Sequence, residues 1–218
     1  LYNKPLITRC GHEWFRNALR DKKFGLSKIV LYFFGYIFEL VIYTFSNKII
    51  ISSITDKNFI NKLFPINNKK IFLIRNYIDT SIFNPENNFS NSKERKKSIL
   101  YIGRIINRKN IDLIINSLSH TNYKLFIIGD GPEKDRLISL SKKLKVKIEF
   151  LGIFSNDSLP KIINQFPLFI LPSFYENSPK TLLEAMSCGR AIISTNVDGI
   201  NELIKHNNNG LLFDINEK

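Results

Sequence analysis

Two short apolar runs flank a helical pattern in the segment KLFIIGDGPEKDRLISLSKKLKVKIEFLG, residues 124–152. The runs KLFIIG (124–129) and KIEFLG (147–152) have the length and the isoleucine and phenylalanine content of strands that are covered on both faces. The residues between them, 132–144, are long enough for the helical crossover that two parallel strands require. The segment therefore predicts one strand–helix–strand unit of a parallel sheet.

The same alternation continues on both sides of this unit. Each further apolar run is short, and each intervening helical pattern can return the chain to the same edge of the sheet. The sequence therefore predicts an α/β fold with a doubly wound, Rossmann-like parallel sheet, which binds ligands at the carboxyl ends of its strands. The further predicted strands are 98–103, 167–172 and 191–195, and the further helices are 110–119, 157–165 and 179–188.

The first part of the chain contains strand and helix patterns in a less regular order. After residue 77 these patterns give way to a polar, charged, proline-containing stretch. We therefore expect part of one Rossmann-like domain at 1–83, an interdomain linker at 84–97 and a second domain at 98–218. In the first domain, strands are predicted at 4–10, 48–52 and 70–75, and helices at 29–45 and 56–64.

The apolar helix at 29–45 raises the question of a membrane span. Seventeen residues of helix are about 26 Å long, against a hydrocarbon core of roughly 30 Å. Glu39 lies inside the stretch, and a carboxylate at mid-span is costly. We therefore favour a helix that is buried in a domain or lies on a membrane surface over a true span.

The charge of the chain is high and uneven. The net charge is +13 over 218 residues, and residues 1–99 hold 17 lysines and arginines against 7 aspartates and glutamates. Such a basic surface can attract nucleic acid, an anionic membrane or a phosphorylated substrate. No nucleic-acid-binding motif is recognisable, so we expect no nucleic-acid partner.

The cysteines indicate the cellular location of the chain, and its first residues indicate whether it is a fragment. Cys10 and Cys188 are too few for a disulfide framework and have no metal-ligand spacing with the histidines. This usage favours a reducing, cytoplasmic location. The chain opens LYNKPLITRC, without a starting methionine or a signal peptide, so we expect a fragment.

The segment FYENSPKTLLEAMSCG, residues 174–189, predicts an anion site. Ser178 is a suitable N-cap and Pro179 a suitable first residue for the helix 179–188, and Gly189 is typical of the position after a helix. The free backbone N–H groups at the start of such a helix, together with the Lys180 ammonium, favour a phosphate. Glu184 lies farther along among apolar residues and needs a polar partner, for which a sugar or ribose hydroxyl is a candidate.

Two other loops follow predicted strands at the same edge of the sheet. In GRIINRK (103–109), Arg104 and Lys109 could hold a diphosphate together, since arginine offers a planar fork and lysine a point charge. In IIGDGPE (127–133), small glycines would let a ligand lie against the backbone. A turn of this kind is a weak signal by itself.

Taken together, these motifs resemble the donor-binding domain of the family 4 glycosyltransferases, which are retaining enzymes of the GT-B fold. The match covers 70–218 by motif and 1–69 by the order of elements. The Glu-x7-Glu block of Glu176 and Glu184, with its EAM-x-x-G ending, is the most specific part. Many members have Gly-Phe-Gly after the first glutamate, whereas Asn177-Ser178-Pro179 stands here and leaves the donor sugar open. The other matching motifs are IRNYIDTSIFNP (74–85), IEFLG (148–152), STNVDGINELI (194–204) and NGLLF (209–213).

The resemblance implies a role for each matching residue. Arg104 and Lys109 match the basic pair that holds the nucleotide diphosphate, Glu176 the glutamate that faces the donor sugar, and Glu184 the one that binds the ribose. His12, in RCGHEW, lies near a place where members often have an acceptor-side histidine, although a surface histidine is an equal alternative. The implied catalytic set is Glu176, Arg104 and Lys109, and the donor-binding set is Glu184, Gly103, Gly129, Gly131, Asn177, Ser178, Lys180, Thr181 and Leu182.

The resemblance also implies the chemistry and the partners. It implies a metal-independent enzyme without a cofactor that moves a sugar from a nucleoside diphosphate sugar to a glycan or lipid-linked acceptor in cell-surface polysaccharide or glycolipid synthesis. Residues 1–83 would then belong to the acceptor domain and 98–218 to the donor domain. The basic first half suggests an anionic membrane surface as a further partner, so we expect a cytoplasmic protein able to bind the inner face of the membrane.

Two alternatives stay open. A nucleotide-sugar epimerase or a phosphorylase can have the same architecture, because a fold does not fix the reaction. The chain could also be a non-catalytic fragment that only binds a nucleotide sugar or a partner.

Overall fold

The computed structural model describes residues 4–10, 26–86 and 97–215. The chain forms two compact units, Leu1–Arg75 and Asn76–Lys218. Each unit contains a parallel sheet, which agrees with the α/β prediction.

The first unit contains a three-stranded parallel sheet in the order β1-β2-β3. Its core is built around Phe64, whose ring stacks on Tyr36 and meets Tyr43 edge to face, at centroid distances of 5.1 Å in both cases. The side chain of Ser53 caps the second helix by accepting a hydrogen bond from the Asp56 N–H at 3.0 Å. The elements are β1 (Ile7–Arg9), α1 (Leu26–Phe45), β2 (Lys48–Ile51), α2 (Ile54–Leu63) and β3 (Ile71–Leu73).

Helix α1 has two different apolar faces. Tyr43 is buried in the core of the first unit, whereas Phe34, Phe38 and Phe45 are 63%, 66% and 73% exposed. The helix is therefore only half buried, and a continuous aromatic stripe faces outward. Within the described ranges, no helix combines the length and the hydropathy needed to cross a membrane.

The second unit contains a six-stranded sheet, all parallel, in the order β6-β5-β4-β7-β8-β9. Strand β4 lies near the centre, and all five of its residues are buried, as expected for a strand that is covered on both faces. Behind it, the rings of Phe126 and Phe166 pack at 4.9 Å. The strands are β4 (Ser98–Ile102), β5 (Lys124–Ile128), β6 (Ile148–Gly152), β7 (Leu168–Leu171), β8 (Ala191–Thr195) and β9 (Leu211–Phe213), and the helices are α3 (Ile111–Ser117), α4 (Lys134–Lys143), α5 (Leu159–Ile163) and α6 (Lys180–Ser187).

Two predictions about local structure differ from the structure. The predicted N-cap Ser178 is wrong, because the helix begins at Lys180 and Pro179, in extended conformation, takes the N-cap position. Strand β9 was not predicted, because three half-exposed residues give too little pattern. Gly189 follows the end of α6 as predicted.

The boundary between the units also differs from the predicted one at residue 83. The segment after Asn76 packs on the second unit, because Phe83 lies in its core and the Phe83 carbonyl accepts a hydrogen bond from Ser187. The Asn164 side chain continues this attachment by donating to the Asn84 carbonyl at 2.9 Å. Most of the predicted linker, 87–96, lies outside the described residues.

Candidate functional site

The strand order of the second sheet places two distant loops side by side. Strands β4 and β7 are paired at its centre, and the chain winds outward from them in opposite directions. The loops that follow these strands, 103–110 and 172–179, therefore leave the same carboxyl edge at the topological switch point. This is where doubly wound sheets bind ligands.

Backbone hydrogen bonds join the loop after β4 to its neighbours. Gly103 N–H donates to the Ile128 carbonyl at 2.9 Å, and Ile105 N–H donates to the Asp130 carbonyl at 2.8 Å. On the other side, Phe174 N–H donates to the Arg108 carbonyl at 3.0 Å. Three loops of the carboxyl edge are thus fixed relative to one another.

The glycine turn after β5 allows the loops after β4 and β5 to lie close together. A Cβ atom on Gly129 would lie 2.0 Å from the Gly103 carbonyl oxygen, and one on Gly131 would lie 2.3 Å from the Ile105 carbonyl oxygen. The space that these glycines leave is therefore filled by the chain's own backbone. This differs from the sequence-based explanation, which reserved that space for a ligand.

Lys109 and Glu176 form an ion pair between the two loops. The Lys109 ammonium donates to Glu176 Oε1, and the Ser173 hydroxyl donates to the same oxygen at 2.7 Å. The two charged side chains are only 11% and 8% exposed. Burial lowers the pKa of Lys109, and the Glu176 carboxylate opposes that shift. Both contacts fall on Oε1, so they hold the carboxylate in one orientation.

Two arginines of the same loop lie within electrostatic range of this ion pair. Arg104 is exposed to solvent, and the Arg108 guanidinium lies 4.9 Å from the centre of the Tyr175 ring. Both positive charges lower the pKa of Lys109, so all three cations are within electrostatic range of one another. The loop after β4 therefore presents a positive site suited to a phosphate or diphosphate.

The amino end of α6 leaves polar groups without partners. None of the described side chains caps this end of the helix, so its first backbone N–H groups are available to an anion. Two buried oxygens, Ser178 Oγ and Glu184 Oε2, have no hydrogen-bond partner among the described residues. Burial raises the pKa of Glu184, and the Lys180 ammonium opposes the shift. A ligand with hydroxyl and phosphate groups would satisfy these atoms.

The loop that carries Glu176 and Asn177 is also fixed from outside. Gly199 has a left-handed φ of 77°, and a Cβ atom there would lie 2.2 Å from the Asn177 carbonyl oxygen. On the other side, the Asn76 amide donates to the Ser178 carbonyl at 2.6 Å. The loop is therefore held in place before any ligand is present.

The structure brings together three of the residues that the sequence suggested. Arg104, Lys109 and Glu176 share one cluster, whereas His12 lies outside the described residues. Tyr101 and Ser173 were missed, although a tyrosine among the apolar residues of a buried strand signals a hydroxyl that needs a partner. No group of three histidine, cysteine, aspartate or glutamate residues within the described part of the chain could hold a metal ion. The remaining suggested residues lie in the loops after β4 and β5 (Gly103, Gly129 and Gly131), in the loop before α6 (Asn177 and Ser178) or within α6 (Lys180, Thr181, Leu182 and Glu184).

Comparison with known proteins places this site in a family context. The family described as Glycosyl transferases group 1 matches residues 83–218. An uncharacterized glycosyltransferase of Methanocaldococcus jannaschii is 35% identical over 125 residues, covering 55% of this chain and 32% of that protein. An N-acetyl-D-galactosaminyltransferase of Campylobacter jejuni, whose name specifies an undecaprenol-linked acceptor, is 32% identical over 137 residues, covering 60% and 38%. The chain thus spans only about a third of the length of these relatives.

A solved structure shows the same fold. It is the Anabaena HepE protein in complex with UDP and glucose, with a TM-score of 0.75 at 17% identity. The superposition covers 97% of this chain and 58% of HepE. This likeness identifies the GT-B fold.

We predict that Glu184→Gln stabilises the protein at neutral pH. A carboxyl whose pKa is raised by folding binds its proton more tightly in the folded state, so its contribution to stability falls as pH rises above its ordinary value of 4.5. The variant removes that loss, because a neutral amide carries no charge that burial can destabilise. Thermal unfolding at about pH 7 should show a higher Tm for the variant, and the difference should vanish near pH 4.

The matched control is Asp157→Asn, which removes a carboxylate from an exposed position. It should not reproduce this dependence on pH. A Glu184→Gln variant that is less stable than the wild type at neutral pH would contradict the prediction.

Proposed function

This chain belongs to the glycosyl transferases group 1 family, and we propose that it is part of a retaining glycosyltransferase that uses a nucleoside diphosphate sugar. The observation that carries this proposal is the arrangement at the carboxyl edge of the second sheet. There, a cation cluster and the fixed Glu176 carboxylate belong to one pair of loops, and α6 begins a few residues later in the sequence. Among the described residues, no side chain caps the amino end of α6 and none is a partner for Glu184 Oε2. A nucleotide sugar offers a group for each: a diphosphate, a sugar and a ribose.

Each part of the donor has a proposed partner. Arg104, Lys109 and the backbone N–H groups of Lys180, Thr181 and Leu182 would bind the diphosphate. Glu184 Oε2 would accept a hydrogen bond from the ribose, and Glu176 and Asn177 would meet the donor sugar. Ile153, which is 78% exposed directly after β6, would form a wall of the base pocket together with the glycine turn at 129–131.

The proposed reaction follows from where charge develops. The bond from the anomeric carbon to the phosphate oxygen breaks, which leaves negative charge on the diphosphate and positive charge on the sugar. The cations and the helix end stabilise the diphosphate, so we propose catalysis without a metal ion. The acceptor hydroxyl then attacks the same face of the sugar, and its proton passes to the departing diphosphate.

Glu176 would act by holding the sugar. Its Oε1 accepts hydrogen bonds from Lys109 and Ser173, which hold the carboxylate in one orientation. We propose that it accepts hydrogen bonds from donor-sugar hydroxyls and helps to set the reactive geometry. Lys109 would then contact both this carboxylate and the diphosphate, and so link sugar binding to leaving-group stabilisation.

The first unit supports a proposal about the acceptor. Residues 1–75 contain 13 lysines and arginines against 4 aspartates and glutamates, and Lys70 lies at the carboxyl end of α1, where it donates to the Thr44 carbonyl at 3.1 Å. The exposed aromatic stripe of α1 beside such charges suits an anionic membrane surface. We propose a glycan or lipid-linked acceptor in cell-surface polysaccharide or glycolipid synthesis, and a cytoplasmic location at the inner face of the membrane.

Binding of UDP is the first prediction of the proposed function. Arg104→Ala should weaken it by about 10- to 100-fold, since hydrogen bonds to charged groups contribute about 1.5–3 kcal/mol. Glu184→Ala should weaken it by up to about tenfold, because it loses one hydrogen bond. Isothermal titration calorimetry measures both effects, with exposed Lys161→Ala on α5 as the control for lost positive charge. Unchanged affinity in either site variant would remove that residue from the pocket.

Transfer is the second prediction. Incubation of the chain with a panel of nucleotide sugars and undecaprenol-linked glycans should yield free nucleoside diphosphate and a new glycoside with the donor's anomeric configuration, and excess EDTA should not stop the reaction. An interconverted nucleotide sugar would instead identify an epimerase, and a sugar phosphate formed with inorganic phosphate a phosphorylase. Donor binding without turnover, both in this chain and in the complete reading frame, would identify a non-catalytic protein.

Membrane binding is the third prediction. The chain should sediment with anionic vesicles at low salt and be released as ionic strength rises. Replacing Phe33, Phe34 and Phe38 with glutamine, which keeps helix propensity, should abolish binding, because each buried phenylalanine contributes about 1.5–3 kcal/mol. Tyr77→Gln removes an aromatic ring that is 85% exposed on the second unit and should have no effect. Absence of wild-type binding at low salt would reject the membrane surface.

A further inference from the structure

Tyr101 connects the central strand of the second sheet to the cation loop. Its side chain is completely buried in β4, and its hydroxyl donates to the Arg104 carbonyl at 3.1 Å. A Cβ atom on Gly103 would lie only 2.8 Å from that hydroxyl oxygen, so the tyrosine ring runs directly beneath the chain as it leaves the strand. The ring thus supports the turn that presents Arg104.

The other contacts of the loop after β4 with its neighbour are made by the residues on either side of Arg104, and the Tyr101 hydroxyl holds Arg104 itself. Gly103 and Ile105 are tied to the loop after β5 by their own N–H groups, while Arg104 lies exposed between them. The Arg104 carbonyl also accepts the Ile106 N–H at 3.1 Å, but that bond lies within the loop. Within the described part of the chain, the Tyr101 hydroxyl is the group that connects this carbonyl to the sheet.

The hydroxyl is suited to act as a permanent donor. Burial raises the pKa of Tyr101, the Glu176 carboxylate raises it further, and Arg108 and Arg104 oppose the shift. The group therefore stays protonated at every pH at which the protein would work. These contributions show that the Tyr101 hydroxyl is within electrostatic range of the Glu176 carboxylate and of the Arg104 and Arg108 guanidinium groups.

We propose that Tyr101 is a positioning residue for diphosphate recognition, and that its hydroxyl holds the Arg104 backbone so that the guanidinium points at the donor phosphates. This inference rests on the proposed function. It goes beyond the residues that the sequence suggested, because the buried Tyr101 would act on the donor only through Arg104. A tyrosine that only filled the core would give the same fold but would have no link to Arg104.

The test is a double-mutant cycle between Tyr101→Phe and Arg104→Ala. Affinity is measured by calorimetry with whichever of UDP, GDP and ADP binds the wild-type chain most tightly. Tyr101→Phe keeps the ring and removes only the hydroxyl, so we expect about three- to tenfold weaker binding in the wild-type background and no change in the Arg104→Ala background. Exposed Tyr123→Phe is the matched control and should leave affinity unchanged in both backgrounds.

The outcomes separate this inference from the proposed function. If the wild type binds a nucleoside diphosphate but Tyr101→Phe has no effect, or has an equal effect in both backgrounds, the positioning role is overturned and the proposed function stands. If the wild type binds none of the three, both are overturned. If circular dichroism shows that the Phe variant does not fold, 4-aminophenylalanine at position 101 restores a donor, and affinity more than about threefold below wild type would reject the inference.

Discussion

The pairing of β4 with β7 is the constraint on which the site depends. Ile99 lies opposite Leu168 and Leu100 opposite Phe169 in this parallel pair, although the strands are far apart in sequence. Parallel pairing aligns the carboxyl ends of the two strands, so their loops must emerge together. Every contact between the cation loop and the glutamate loop, including the Lys109 to Glu176 ion pair, follows from that register.

The site is built at some expense to stability. A buried ion pair loses hydration that its own attraction only partly replaces, and the buried Glu184 Oε2 has no partner at all among the described residues. Such groups are tolerated where the surrounding fold fixes them, and here three loops are cross-linked by backbone hydrogen bonds. The central strands, which are covered on both faces, supply the hydrophobic burial that offsets these terms.

The sequence predicted the second sheet well because its strands are compact apolar runs between helical patterns. It suggested the basic pair and the glutamates as site residues through residue type, position after a strand and family resemblance, and their roles stay predictions. It could not predict the contacts of Tyr101 and Ser173, since both depend on which loops meet across the sheet. The predicted N-cap Ser178 was wrong because the extended Pro179 takes that position, and the Ser178 hydroxyl has no hydrogen-bond partner within the part of the chain that the structure describes.

The close approach of Gly199 to the Asn177 carbonyl has a consequence for engineering. Position 199 belongs to a loop that follows another strand, yet a side chain there would push directly on the backbone beside Glu176. In a mutational library, Gly199 would therefore be as sensitive to substitution as a residue that lines the site. The cause would be displacement of the backbone at Asn177. Attempts to alter sugar preference in this scaffold should keep Gly199, because the backbone of the glutamate loop needs the space beside it. They should vary the side chains of the glutamate loop.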